Sequence, residues 1–89
     1  MINITERHMV GGERHEHIAE VKWVNPETSA TGQNSRAEMV EWIRDKGGKA
    51  FVVSGVNRVA VGVVDADPPY IRTHADGVWT DNLLALPTY

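Results

Sequence analysis

"YIRTHADGVWTDNLLALP", residues 70–87, decides the fold of this chain. Tyr70 to Ala75 and Val78 to Thr80 are rich in aromatic and β-branched residues, and Asp76-Gly77 lies between them. Asp-Gly accepts positive φ at both central positions of a two-residue turn, so the stretch predicts a β-hairpin. That turn pairs Ala75 with Val78, His74 with Trp79, Thr73 with Thr80 and Arg72 with Asp81. Tyr70, Arg72, His74, Trp79, Asp81 and Leu83 then share one face. A three-residue turn with Gly77 in a bulge would shift the register by one and turn Arg72 away from Asp81. The two-residue form gives Arg72 a partner and is the expected one.

Working back from the hairpin, "AFVVSG" (50–55) and "RVAVGVVDA" (58–66) read as Val-rich strands separated by Gly55-Val56-Asn57. Their nearly continuous apolar character suits the middle of a sheet covered by a helix. Pro68-Pro69 ends the second of them. The helix is predicted over 35–46. Ser35-Arg36-Ala37-Glu38 forms a capping box, Met39, Val40 and Ile43 make the apolar stripe with Trp42 at its flank, and Gly47 follows as the left-handed exit. Lys46 in the last turn complements the helix dipole. "NPETSATGQN" (25–34) reads as a polar loop with Pro26 and Gly32 as breakers.

Earlier still, "HIAEVKWV" (17–24) reads as a strand. Strict alternation sets Ala19, Val21 and Trp23 on one face, with Ile18, Glu20, Lys22 and Val24 on the other. Residues 2–10 give a first strand with Ile2 and Ile4 on one side, closed by Gly11-Gly12. The expected architecture is one α+β domain over residues 1–89. It has two layers: a sheet of about five mostly antiparallel strands in the order ββαβββ, and one helix packed on a face.

Eighty-nine residues leave no room for a second core, and 42% hydrophobic with 24% charged residues is a globular composition. The net charge is −3, with nine Lys and Arg scattered among twelve acids, so no basic stripe exists to bind phosphates. Cysteine is absent, which excludes disulfides, thiolate zinc sites and a Cys nucleophile. "MINITERHMV" lacks the basic-then-apolar pattern of a signal peptide, and no apolar run nears the ~20 residues of a membrane span. A cytoplasmic protein without membrane contact is expected. No GxxxxGK or GxGxxG loop is present, and no cofactor is expected.

The reactive groups are sparse. Ser29, Ser35 and Ser54 fall in a loop, a helix cap and a strand end, with no nucleophile-elbow context. Asp65 and Asp67 flank Pro68 as loop solvation. His15-Glu16-His17 places two imidazoles on one side of an extended chain, with His8 or His74 as a conceivable third zinc ligand. Without HExxH or Cys ligands the stretch reads better as a charged loop, "GGERHEH", running into a strand.

Several of these residues resemble a family of small bacterial and phage proteins catalogued as a domain of unknown function. The matching features are His17-Ile18 followed by Val21, the Ser35 to Ile43 helix and the Gly48 to Val53 strand start. The closing motif matches as well: Tyr70-Ile71-Arg72-Thr73, Asp76-Gly77, Asp81-Asn82-Leu83-Leu84 and Leu86-Pro87. The resemblance covers nearly the whole chain. It implies a soluble, single-domain, cytoplasmic protein of bacterial or phage origin, and it carries over no catalytic or binding residues.

The expected function is a non-catalytic protein-interaction or regulatory module. Tyr70, Arg72, His74, Trp79, Asp81 and Asn82 form its candidate partner surface, which has the aromatic and Arg composition of interface anchors. The partner is another protein or a second copy of the chain. A bland reading stands beside it: an Arg–Asp pair that only fixes the hairpin register, and an Asn82 that ties off the strand end. A second class is single-stranded nucleic-acid binding through Arg72, Arg58, Lys22, Tyr70 and Trp79 on a sheet face, which net acidity disfavours. A small enzyme or metal protein is the third.

Overall fold

The computed structural model describes residues 1–89. Seven strands follow one another as β1 (Ile2–Met9), β2 (Ile18–Val24), β3 (Thr31–Ser35), β4 (Ala50–Ser54), β5 (Asn57–Val64), β6 (Tyr70–Ala75) and β7 (Val78–Thr80). A single helix, α1 (Arg36–Arg44), separates β3 from β4. The strands form one sheet in the order β3-β2-β1-β4-β5-β6-β7. All neighbours are antiparallel apart from β1 and β4, which are parallel. The chain is α+β as expected, but the sheet is mixed and larger than the five strands read from sequence.

The two strands that raise the count, β3 and β7, lie at the sheet edges; β7 is the short second arm of the predicted hairpin, which the count of five left out. β3 falls in the stretch read as a polar loop. As an edge it needs no apolar alternation, so its Thr, Gly, Gln, Asn and Ser residues carry no periodic signal. Gly32 is a packing residue and not a breaker. It pairs with Trp23, whose indole lies 2.2 Å from where a Cβ would stand, so any side chain there would displace the ring.

Strict alternation along β2 fails for a local reason. Ile18 and Val21 are both buried, although an unbroken strand would point them to opposite faces. The pairing with β1 slips between His8–Glu20 and Met9–Ile18, which leaves Ala19 as an extra residue. Such a bulge lets one strand present two apolar residues of different parity to the same core.

Helix α1 begins as the sequence indicates. Ser35 Oγ accepts from the Glu38 N–H at 3.2 Å, and the Ser35 N–H donates to Glu38 Oε1 at 2.9 Å. The helix ends at Arg44, two residues before the predicted limit, with Gly47 at φ +66° beyond it. Met39 and Val40 meet Ile2 and Ile4 of β1, Ile18 and Val21 of β2, and Ala50, Val52, Val61 and Ile71 of β4–β6 to form the core.

Strand β4 pairs with β1 only at Ile2 and Asn3. Farther along, the C-terminal segment takes the vacated edge: the Arg7 N–H donates to Pro87 O and the Tyr89 N–H to Arg7 O, both at 3.0 Å. The Tyr89 hydroxyl donates to Glu20 Oε1 at 2.9 Å, and burial followed by that carboxylate pushes the phenol up to about 12. Leu83 departs from expectation. It is fully buried in the core and not on the hairpin face, because the chain leaves β7 in a helical turn with the Ala85 N–H donating to Asp81 O at 3.1 Å. No helix is long and apolar enough to cross a membrane.

Candidate functional site

The Asp76-Gly77 turn has positive φ at both residues, 51° and 78°, and pairs Ala75 with Val78, His74 with Trp79 and Thr73 with Thr80. The two-residue turn therefore sets the register. It continues a row that runs across the sheet, because Phe51 pairs with Ala60, Ala60 with His74 and His74 with Trp79. Side chains directly opposite on neighbouring strands share a face, so this row lies together on the side away from α1. Val52, Val61 and Thr73, one residue removed, point into the core.

The row is assembled in detail. The Arg58 guanidinium lies 4.4 Å over the Phe51 ring. His74 and Trp79 meet edge to face with centroids 5.1 Å apart, a favoured aromatic geometry. Trp79 also reaches across β6 to Gly62 on β5, where its ring stands 3.4 Å from the site of a Cβ. Val53 and Trp79 remain 51% and 39% exposed, so this face over β4–β7 is open to solvent.

A polar cluster adjoins the face. The Arg72 guanidinium donates to Asp81 Oδ1 at 2.8 Å and to Thr80 O at 3.1 Å. His15 stands across from the same carboxylate, with Nε2 3.6 Å from Oδ1, and is buried with that nitrogen unpartnered. Desolvation pushes the imidazole below its usual 6.5, helped by the Arg72 charge and partly opposed by Asp81 and Glu16. Beneath them the fully buried Thr73 donates to Thr80 O at 3.0 Å and accepts from Thr80 Oγ1 at 2.8 Å and from the Leu83 N–H at 3.4 Å. Thr80 Oγ1 is also 2.8 Å from Asn82 Oδ1. The cluster ties the hairpin to the 3₁₀ turn at His15–His17 and fixes where the chain turns inward.

The structure thus places Tyr70, Arg72, His74 and Trp79 on one face and joins Asp81 to it through Arg72. Asn82 turns inward to Thr80. The weak metal candidates separate. His15 faces Asp81, while His17 packs against Gly12, and both sit on a 3₁₀ turn instead of a strand. His8 lies beside Tyr89 and His74 beside Trp79, and no group of three or more potential ligands forms. The sequence reading of the hairpin omitted Phe51 and Ala60. "AFVVS" is too uniformly apolar to show which of its faces is covered, and only the pairing to β5 reveals it.

A family model described as "Protein of unknown function (DUF3892)" matches residues 3–87 of the chain. No curated protein and no solved structure matches it.

Proposed function

The chain belongs to that family, whose description assigns no activity, and from this premise we propose that it is a non-catalytic protein-interaction module docking through the outer face of β4–β7. The observation that carries the reading is the continuous row of Phe51, Ala60, His74 and Trp79 with Arg58 stacked at one end. Aromatic and Arg side chains dominate binding energy at protein interfaces. The rings here are already held by Arg58, by Gly62 and by each other, so docking would order few side chains. Arg58 pairs with no carboxylate, whereas Arg72 is engaged by Asp81. The matching partner is a protein surface with an apolar or aromatic side chain beside an acidic one.

Strand addition at β7 fits less well. That edge is three residues long, and the turn geometry directs Val78 and Thr80 toward β6, which leaves one N–H and one C=O facing outward at Trp79. The aromatic row also suits single-stranded nucleic acid. Against this, Lys22 lies under the Tyr89 ring on the other half of the sheet, Arg72 is paired, and the net charge is −3.

The test is affinity purification from host lysate with the wild type and a folded Arg58→Ala/Trp79→Ala variant, with and without nuclease. The reading predicts a protein retained by the wild type, insensitive to nuclease and lost with the variant. Identical recoveries, or recovery of nucleic acid, would contradict it, and a sedimentation measurement on the pure protein identifies a second copy as the partner.

A further inference from the structure

A second, separate site lies on the opposite side of the sheet. Between the first turns of α1 and the β2–β3 edge is a cavity of about 240 Å³ lined by Ile2, Trp23, Asn34, Glu38, Met39 and Trp42. Its floor is the buried pair Ile2 and Met39. Its walls are two indoles from separate elements, and Glu38 stands one helical turn before Trp42 on the same side of α1.

Both walls are pre-set. The fusion bond of the Trp42 ring lies 2.2 Å from where a Gly48 Cβ would be, so the indole is seated flat on that glycine. Trp23 covers Gly32 in the same manner, and its Nε1–H donates to Asn34 Oδ1 at 2.8 Å. Glu38 stands at the rim as the one acidic group lining the cavity. Hydrogen bonds from Ser35 first, and from the Asn34 side chain after it, hold its carboxyl below the usual range. No Lys or Arg lines the cavity to neutralise it.

We infer that this cleft binds a compact organic cation of the trimethylammonium class. Aromatic faces attract such a cation through the ring quadrupole, its methyl groups bury against Ile2 and Met39, and Glu38 supplies the counter-charge. The volume admits an alkylammonium head and excludes most drug-sized ligands. A neutral group of the same shape would gain the apolar contact alone. The inference stands independently of the docking face, which lies across the sheet.

The test is titration of the full-length protein with choline and with its neutral isostere 3,3-dimethylbutanol, followed by indole fluorescence and by amide and indole NMR shifts. Choline is expected to shift the Trp23 and Trp42 indole signals, with the isostere at least about tenfold weaker, the order of a desolvated cation–π contact. Glu38→Gln keeps the hydrogen-bonding shape of the capping box but removes the charge, and should weaken choline several-fold without moving the isostere. Trp42→Leu should abolish both, and Glu38→Gln preserves a folded test if that variant does not fold. A trimethyl-lysine peptide and its unmethylated form separate the sources: tighter binding of the methylated peptide than of choline assigns a modified protein, and equal binding assigns a free cation. Equal affinity for choline and isostere, shifts away from both indoles, or no binding at millimolar choline would overturn the inference.

Discussion

Trp79 on β7 covers Gly62 on β5, two strands away, with its ring 3.4 Å from the position a Cβ would take. Trp23 and Trp42 cover Gly32 and Gly48 in the same way but at 2.2 Å. All three indoles thus rest on a glycine, and the separations make the pairs unequal. A Cβ at Gly62 meets ordinary contact, and alanine suits a strand better than glycine. Gly62→Ala should change stability by no more than about 0.5 kcal/mol. At Gly48 the same substitution must expel the Trp42 ring and should cost about 1–3 kcal/mol. Urea unfolding of the two variants compares them directly, and equal losses would refute the packing described.

Acid should weaken the protein through His15. Its folded imidazole is held below 6.5 by burial and by Arg72, so the unfolded chain binds the proton more readily. Stability then rises with pH across the interval from the folded value up to 6.5, is complete above 6.5, and is lost as the pH falls through that interval. Melting temperatures at about pH 7.5 and about pH 5.5 should differ more for the wild type than for His15→Gln, which does not titrate. An equal difference in both proteins would remove His15 from the explanation.

Thr73 is the hub of the hairpin's inner face. Replacing it with valine keeps the volume but deprives the Leu83 N–H of its acceptor and leaves Thr80 Oγ1 with Asn82 Oδ1 alone. The expected loss is about 1–3 kcal/mol, the cost of stranding one buried donor. Amide exchange should quicken at Leu83 and Thr80 before it does in β4. Uniform change across the sheet would mean that the network does not anchor the chain exit.

The start of α1 offers a sharper contrast. Ser35→Ala removes the acceptor for the Glu38 N–H and should cost about 1 kcal/mol. Glu38→Gln retains a side chain able to accept from the Ser35 N–H and should cost less. Thermal melts that rank the two the other way would contradict the reciprocal cap.

Features governed by short-range chemistry were legible in the sequence. Asp76-Gly77 specifies its turn because few other dipeptides accept positive φ twice, and Ser35 with Glu38 specifies the helix start because the cap closes within four residues. Those governed by distant pairing were not. Gly32 looks like a breaker until Trp23 is seen to occupy its side-chain space, and Leu83 continues the hairpin alternation until the turn at Asp81 rotates it into the core. The Ala19 bulge is visible only against β1. For the site, Arg72, His74 and Trp79 followed from the hairpin register. The contribution of Phe51 and Ala60 needed the order of β4, β5 and β6.

The docking face is tested most directly by a photo-crosslinking amino acid placed at Val53, in the exposed row beside Phe51 and Arg58, and at Thr28 in the β2–β3 loop as a control, in cells of the native host. The account predicts a discrete protein adduct from position 53 that disappears when Trp79→Ser is added, and none from position 28. An adduct from position 28 alone, an adduct with nucleic acid, or no adduct at position 53 would contradict it.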